Sequence, residues 1–368
     1  MLHSLPVKLI GMTTPSPFKA RGLIERWRSR LPVSAATPVI SLGEGDTPLV
    51  ELRGPIEARE RGIRVFAKFD GANPTGSFKD RGMTMAVSKA LEDGAKAIAC
   101  ASTGNTSAAA AAYASRAGVE CIIVLPAGYV AAGKIAQTIL MGAKIVQIEG
   151  NFDDALRLVR ELCAVTPIAL VNSVNPYRIE GQKSIAFEVA ESFDWDAPEY
   201  HALPVGNAGN ITAHWKGYTE LFDDQTIMKK PIMLGFQAAG AAPIVLGQAV
   251  EKPETIATAI RIGNPASWCY ALIARDESGG IIEAVTDDEI LSAYQFLAKE
   301  GMFCEPASAA SFAGAWRMMR QGRIPDGSRL VCTLTGHGLK DPTTASKLAG
   351  LETPVAATLE ALQRAIGA

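Results

Sequence analysis

Long apolar runs, histidine and clustered cysteine are what this chain has least of. No uninterrupted apolar segment approaches the roughly 20 residues that a membrane-spanning helix needs, so no such span is predicted. The histidines, His3, His201, His214 and His337, have no metal-ligand spacing, and no structural zinc is expected. The cysteines, Cys100, Cys121, Cys163, Cys269, Cys304 and Cys332, form no C-x-x-C and mostly lie in apolar runs such as CIIVLP and LVCTLT. That pattern predicts reduced core thiols in a cytoplasmic protein.

An excess of one charge is missing as well. The 36 Lys+Arg and 38 Asp+Glu leave a formal net charge of −2, and no basic block is longer than Arg26-Trp27-Arg28-Ser29-Arg30. A nucleic-acid footprint is therefore absent, and any anionic ligand must be small and locally held. Internal repeats and low-complexity linkers are lacking too. Residues 1–20, broken by Pro6, Pro15 and Pro17, show no secretory pattern and are expected to carry little chemistry. The 368 residues suffice for one large or two ordinary domains, with no room expected for a terminal regulatory module.

What is present is a rhythm. From Lys96 the chain reads KAIACA, a Gly/Ser/Thr loop, an Ala-rich helix over 107–117, CIIVLP, a helix over 133–141, KIVQIE and a helix over 152–163. It resumes with IALVN, a helix over 180–193, HALPV, a helix after Asn210 and PIMLGFQ. Strands alternating with helices predict βαβ units, hence an α/β fold with parallel or mostly parallel sheets flanked by helices. Outside this run, residues 23–31 predict an amphipathic helix, 39–42 a strand entering a Gly-rich turn, and 329–334 a strand. Thr286 with Glu289 three residues on predicts a capping box.

Four stretches carry chemistry. Asn73-Pro74-Thr75-Gly76-Ser77-Phe78-Lys79 is a turn that delivers Lys79 to a helix start, where the positive helix end lowers an amine's pKa and suits an aldehyde-capturing nucleophile. Taken alone, Lys79 reads first as a surface lysine beside Asp80 and Arg81, and it is the motifs downstream that reverse this. Ser102-Thr103-Gly104-Asn105-Thr106-Ser107 follows a strand and opens a helix, which serves either as a capped turn or as an anion-facing loop. Gly206-Asn207-Ala208-Gly209-Asn210 does the same with two glycines, and lacks both the P-loop Lys-Ser/Thr and the dinucleotide spacing, which argues against ATP and NAD. Thr333-Leu334-Thr335-Gly336-His337 is a third such loop. A phosphorylated aldehyde cofactor uses all four: a lysine, a glycine loop for phosphate, an amide for the ring oxygen and a hydroxyl for the ring nitrogen.

With these motifs and LIERWRSRLPV, GEGDTPL, PAGYVAAGK, VNSVNPYRIEGQK and LTGHGLKD in this order, the chain resembles pyridoxal-phosphate enzymes of the tryptophan-synthase-β fold type, specifically the threonine synthase family, over about 22–341. The resemblance implies two lobes, a larger one of 1–70 plus 172–368 and a smaller one of 71–171, with pyridoxal 5'-phosphate in the cleft between them. It implies Lys79 as the covalent attachment point, Asn105 at the phenolic oxygen, Gly206, Asn207, Ala208, Gly209 and Asn210 around the cofactor phosphate, and Thr335 at the pyridine nitrogen. For the substrate, O-phospho-L-homoserine, it implies Lys134, Ser173, Arg178 and Thr106 at the phosphate, Asn172 beside them, and Ser102 and Thr103 toward the carboxylate. A homodimer is implied as well. A serine or threonine dehydratase is the neighbouring alternative, marked by ketoacid formation without need of Arg178; a silent cofactor-binding regulator is the alternative of another class. His201, His214 and His337 are expected to be structural.

Overall fold

The computed structural model describes residues 22–128, 132–348 and 354–366. The chain begins with α1 (Leu23–Arg26), a 3-10 turn (Arg28–Arg30), β1 (Leu49–Glu51), α2 (Ile56–Glu60), β2 (Arg64–Phe69) and α3 (Lys79–Glu92). Then follow β3 (Ala97–Ala101), α4 (Asn105–Ala117), β4 (Glu120–Pro126), α5 (Ala132–Leu140), β5 (Lys144–Ile148), α6 (Phe152–Val165) and β6 (Ile168–Leu170). They build one parallel sheet in the order β5-β4-β3-β6. Its core is lined by Ala109, Ala110, Ala111, Ala112 and Ala114 of α4, small side chains that bring helix and sheet close, together with the buried Tyr113.

The remainder comprises α7 (Pro176–Gln182), α8 (Ser184–Ser192), β7 (Tyr200–Pro204), α9 (Gly209–Asp223), β8 (Ile232–Ala238), α10 (Pro243–Leu246), α11 (Trp268–Glu277), β9 (Ile281–Val285), α12 (Asp287–Lys299), α13 (Pro306–Arg320), β10 (Arg329–Leu334), α14 (Pro342–Leu348) and α15 (Leu359–Ile366). With β1 and β2 these strands form a second sheet, β1-β2-β10-β7-β8-β9, parallel except for the β1–β2 edge pair. Both sheets are α/β layers, as the strand–helix alternation predicts. Among the described residues no helix is long and apolar enough to cross a membrane.

Several local expectations need correction. Residues 23–31 do not make one helix: α1 ends at Trp27, whose indole is buried edge-on against Phe187, and a 3-10 turn follows. Residues 39–42 are not a strand, because α3 takes their backbone: Thr84 Oγ1 donates to the Ile40 carbonyl at 2.6 Å, and Ser88 Oγ accepts the Ile40 N–H at 3.0 Å. The helix expected over 180–193 is two, α7 and α8, broken at Lys183, whose ammonium is drawn to Glu180 and Glu220. Cys269 is exposed and Cys163 half-buried, whereas the other four thiols are buried and free. The capping box of α12 is present, with Glu289 N–H on Thr286 Oγ1 at 3.2 Å and Thr286 N–H on Glu289 Oε2 at 2.8 Å.

Two contacts fix α3, and so the residue at its start. Arg81, fully buried, is held by Asp70 (2.8 Å) and Glu188 (2.6 Å), and Glu188 also takes the buried Lys68 ammonium at 2.7 Å. Burial pushes the Glu188 carboxyl up, yet Arg81 and Lys68 hold it well below the usual carboxylate range. The second contact is steric. The Gly82 face of α3 lies on the Arg178 backbone, and a Cβ built on Gly181 of α7 would stand 1.9 Å from the Arg81 carbonyl oxygen. Only glycine lets the two helix backbones approach this closely.

Gly181→Ala therefore forces α7 off α3. It should cost at least about 1–3 kcal/mol in chemical denaturation, as overpacking does, and a variant of unchanged stability would mean that the helices do not depend on this approach.

Candidate active site

The loop before α3 is fastened to the loop after β10. Phe78 N–H donates to the Thr335 carbonyl (2.9 Å), His337 N–H to the Gly76 carbonyl (2.9 Å), and Ser77 and Gly336 form an isolated bridge. Asp80 closes the turn from below, accepting Thr75 N–H at 2.6 Å and Thr75 Oγ1–H at 2.5 Å. Burial pushes this carboxyl up to about 7. Lys79 is thereby set at the first position of α3, with its ammonium 4.1 Å from the centre of the Phe78 ring.

Lys79 has one cation, Arg178, and one carboxyl, Glu305, for charged neighbours. Its pKa falls to about 7, first through burial and then through the Arg178 guanidinium, with Glu305 acting in the opposite sense. The helix-end dipole that the sequence suggests is thus not the leading cause. Arg178 is 1% exposed and forms no ion pair with any described residue; Nη1 donates to the Val171 carbonyl at 3.3 Å, and buried Nε has no partner. Burial lowers its pKa to about 10. A buried guanidinium without a carboxylate is costly unless an anion joins it.

The Gly206–Asn210 loop leads into α9. Ala208 occupies the left-handed region (φ 64°), a strained position for a residue with a Cβ. Asn210 Nδ2 is buried without a partner. Asn207 is spent on the loop itself, accepting Ala266 N–H at 2.8 Å and donating to Ser173 Oγ at 2.9 Å. His201 and His214 support this loop from beneath. Burial lowers both, His214 to about 4, so both are neutral. His214 Nδ1 donates to the Asn210 carbonyl (2.8 Å), which leaves Nε2 to accept from Thr333 Oγ1 at 3.2 Å. Thr333 in turn accepts from His201 Nε2 at 2.8 Å, and Tyr218 donates to His201 Nδ1 at 2.8 Å. These directions follow from the backbone acceptor at one end. The chain of bonds makes both histidines structural.

The match to known proteins is extensive. The family model for pyridoxal-phosphate dependent enzymes covers residues 40–336. The threonine synthase of Halalkalibacterium halodurans is 58% identical over 326 residues, 88% of this chain and 91% of that protein. That of Mycobacterium tuberculosis is 57% identical, covering 89% and 90%, and that of Methanocaldococcus jannaschii 51%, covering 87% and 81%. This chain belongs to the threonine synthase family. Among solved structures, tomato threonine deaminase isoform 2 superposes with a TM-score of 0.71 at 20% identity (89% of this chain, 94% of that one), which speaks to the fold alone.

The cofactor of this pyridoxal-phosphate-dependent family fits the residues present. Lys79, half-buried, offers an amine near neutrality, Asn210 an unused buried N–H at the start of α9, and the α9 terminus further free amides for a phosphate. Asn105 heads α4 without capping it, and Thr335 Oγ1, buried, meets Ser308 Oγ at 2.9 Å. The remaining expected residues divide. Ser102 Oγ accepts Gly104 N–H at 3.2 Å, and Ser102, Thr103 and Thr106 are all half-buried around the start of α4. The Asn172 amide is already engaged on both its oxygen and its nitrogen by the backbone of Ala101, each at 3.0 Å, where it prolongs the β3–β6 pairing. The Lys134 side chain lies outside the described residues. Sequence reading missed Glu305 and Ser308 of the α13 start. One signal was available: Glu305 precedes Pro306 at an N-cap, a place where glutamate is a poor cap.

Because the folded-state pKa of Lys79 is depressed to about 7, its reactive neutral amine fills as pH rises through 7 rather than 10.5. The rate of pyridoxal-phosphate capture by the cofactor-free protein should rise with a midpoint near 7 in stopped-flow absorbance; a midpoint near 10 would mean a solvated amine.

Proposed function

We propose that this chain converts O-phospho-L-homoserine and water to L-threonine and inorganic phosphate, using pyridoxal phosphate held by Lys79, the last step of threonine biosynthesis. Membership of the threonine synthase family supports the reaction, and the buried, unpaired Arg178 beside Lys79 is the observation that carries the substrate choice. A substrate with its own phosphate brings an anion for Arg178 in addition to its carboxylate, whereas serine or threonine has the carboxylate alone.

When bound, pyridoxal phosphate supplies the carbonyl that Lys79 captures and a conjugated ring that draws electrons from the substrate. Lys79 does the proton work: with a pKa near neutrality it removes the α-proton and then a β-proton, and returns a proton to the γ-carbon. Arg178, with Ser173, Thr106 and Lys134 completing the site, holds the substrate phosphate through its departure from the γ-carbon, before water adds at the β-carbon. Ser102 and Thr103 hold the substrate carboxylate. Thr335, a neutral hydroxyl, faces the ring nitrogen, Asn105 the phenolic oxygen, and the amides of Gly206 to Asn210 the cofactor phosphate. A neutral partner leaves the ring a weaker electron sink than a carboxylate would, which puts more of the proton movement on Lys79. The cleft between the lobes of 71–171 and 1–70 plus 172–368 holds this reaction. Cytoplasmic location accords with six free thiols, and the homodimer rests on the family alone.

The purified holoenzyme given O-phospho-L-homoserine should release threonine and phosphate in equal amounts, while ketoacid from free threonine with no action on phosphohomoserine would establish a dehydratase instead. Lys79→Ala should abolish turnover. Arg178→Met should lower kcat/KM by roughly 100- to 1000-fold, the cost of losing one partner of a buried charge pair, while keeping the visible cofactor band. Unchanged kcat/KM would remove Arg178 from the substrate site.

A further inference from the structure

Glu305 is a buried carboxyl inside the candidate active site with no role in the steps above. It is 5% exposed and stands immediately before α13. Its backbone N–H donates to the Gly336 carbonyl at 2.9 Å, and its side chain packs flat on Gly336, where a Cβ would come within 2.4 Å of Oε1. One turn further on, Ser308 Oγ accepts Gly336 N–H at 2.9 Å and meets Thr335 Oγ1 at 2.9 Å. The start of α13 thus locks the Thr335–Gly336 loop, with the Glu305 carboxyl lying against Gly336.

The side-chain partner of this carboxyl is Asn105. Its Nδ2 lies 3.2 Å from each carboxylate oxygen of Glu305. A carboxylate accepts and cannot donate, so it admits the amide nitrogen and repels the amide oxygen. Nothing else in the described structure makes this choice: Ser102, not Asn105, serves the turn before α4, and Ser107 Oγ takes the Gly104 carbonyl. We propose that Glu305 is a positioning residue that orients the Asn105 amide, leaving the second N–H of Nδ2 to donate to the phenolic oxygen of bound pyridoxal phosphate. This rests on the reading of Asn105 given above. The charged groups around Glu305 are Lys79 of α3 and Lys340 and Asp341 after β10, with the Cys304 thiol adjoining. Burial raises the Glu305 carboxyl, while the Asn105 bond, Lys340 and Lys79 favour its ionised form.

The holoenzyme tests this through the pH midpoint of its visible cofactor band. An N–H on the phenolic oxygen stabilises the oxygen's negative charge, so losing it raises the midpoint; losing the Glu305 charge alone lowers it. Glu305→Gln accepts and donates alike and leaves Asn105 unoriented, and Glu305→Asp keeps the charge but withdraws it by one methylene. Both should raise the midpoint by roughly one pH unit. In the Asn105→Ala background no amide remains to orient, and Glu305→Gln should then lower it. A fall of equal size in both backgrounds would reduce Glu305 to a charge, and no movement in either would make it structural; each overturns the proposal. An Asn105→Ala midpoint equal to that of the wild type would instead overturn the assignment of Asn105 itself. Glu305→Asp and Asn105→Ala give the answer if Glu305→Gln does not fold.

Discussion

The contact of α3 with α7 is the constraint from which the site follows. Lys79 opens α3 and Arg178 lies within α7, and nothing in the chain order brings them together. Gly82 resting on the Arg178 backbone and Gly181 resting on the Arg81 carbonyl do so, because two helices without side chains at the crossing can touch backbone to backbone. The proximity then sets the electrostatics: Arg178 helps to lower Lys79 against the pull of Glu305, and Arg178 itself has no carboxylate partner among the described residues.

The protein treats its buried charges in two different ways. Beneath α3, Lys68 and Arg81 meet Asp70 and Glu188, two cations against two acidic side chains, with hydrogen bonds that close the set. Such a network locates α3 and asks for no ligand. Next to it, the Arg178 Nε and Asn210 Nδ2 are left buried without partners. Unsatisfied groups of this kind cost folding energy, on the order of 1–3 kcal/mol each, and are held in place by the closed network and by the Thr333-centred histidine bonds beneath Asn210. The completed network is structural, and the incomplete one is where anions are expected.

Much of this was legible along the chain. The strand over 329–334 and the capping box at Thr286 are local patterns, and the structure has them where periodicity and capping chemistry put them. Lys79 at the head of a helix was readable because turn residues precede it. Errors arose where a distant element competes for the same backbone or side chain. Residues 39–42 have the composition of a strand, but Thr84 and Ser88 occupy both backbone groups of Ile40 in their midst. The pairing of the Asn172 amide with Ala101, seventy-one positions away, likewise has no local signature. Glu305 was missed because its partner, Asn105, is two hundred positions distant.

The sequence by itself determined the α/β alternation, the family, the lysine at the head of α3 and the loops that follow β3, β7 and β10, since each is written in contiguous residues whose backbone preferences act locally. The tertiary structure alone decided which charges are paired, which amide points where, and why Lys79 titrates near neutrality. Those properties depend on desolvation and on distances between residues remote in sequence, and neither quantity exists until the chain has packed.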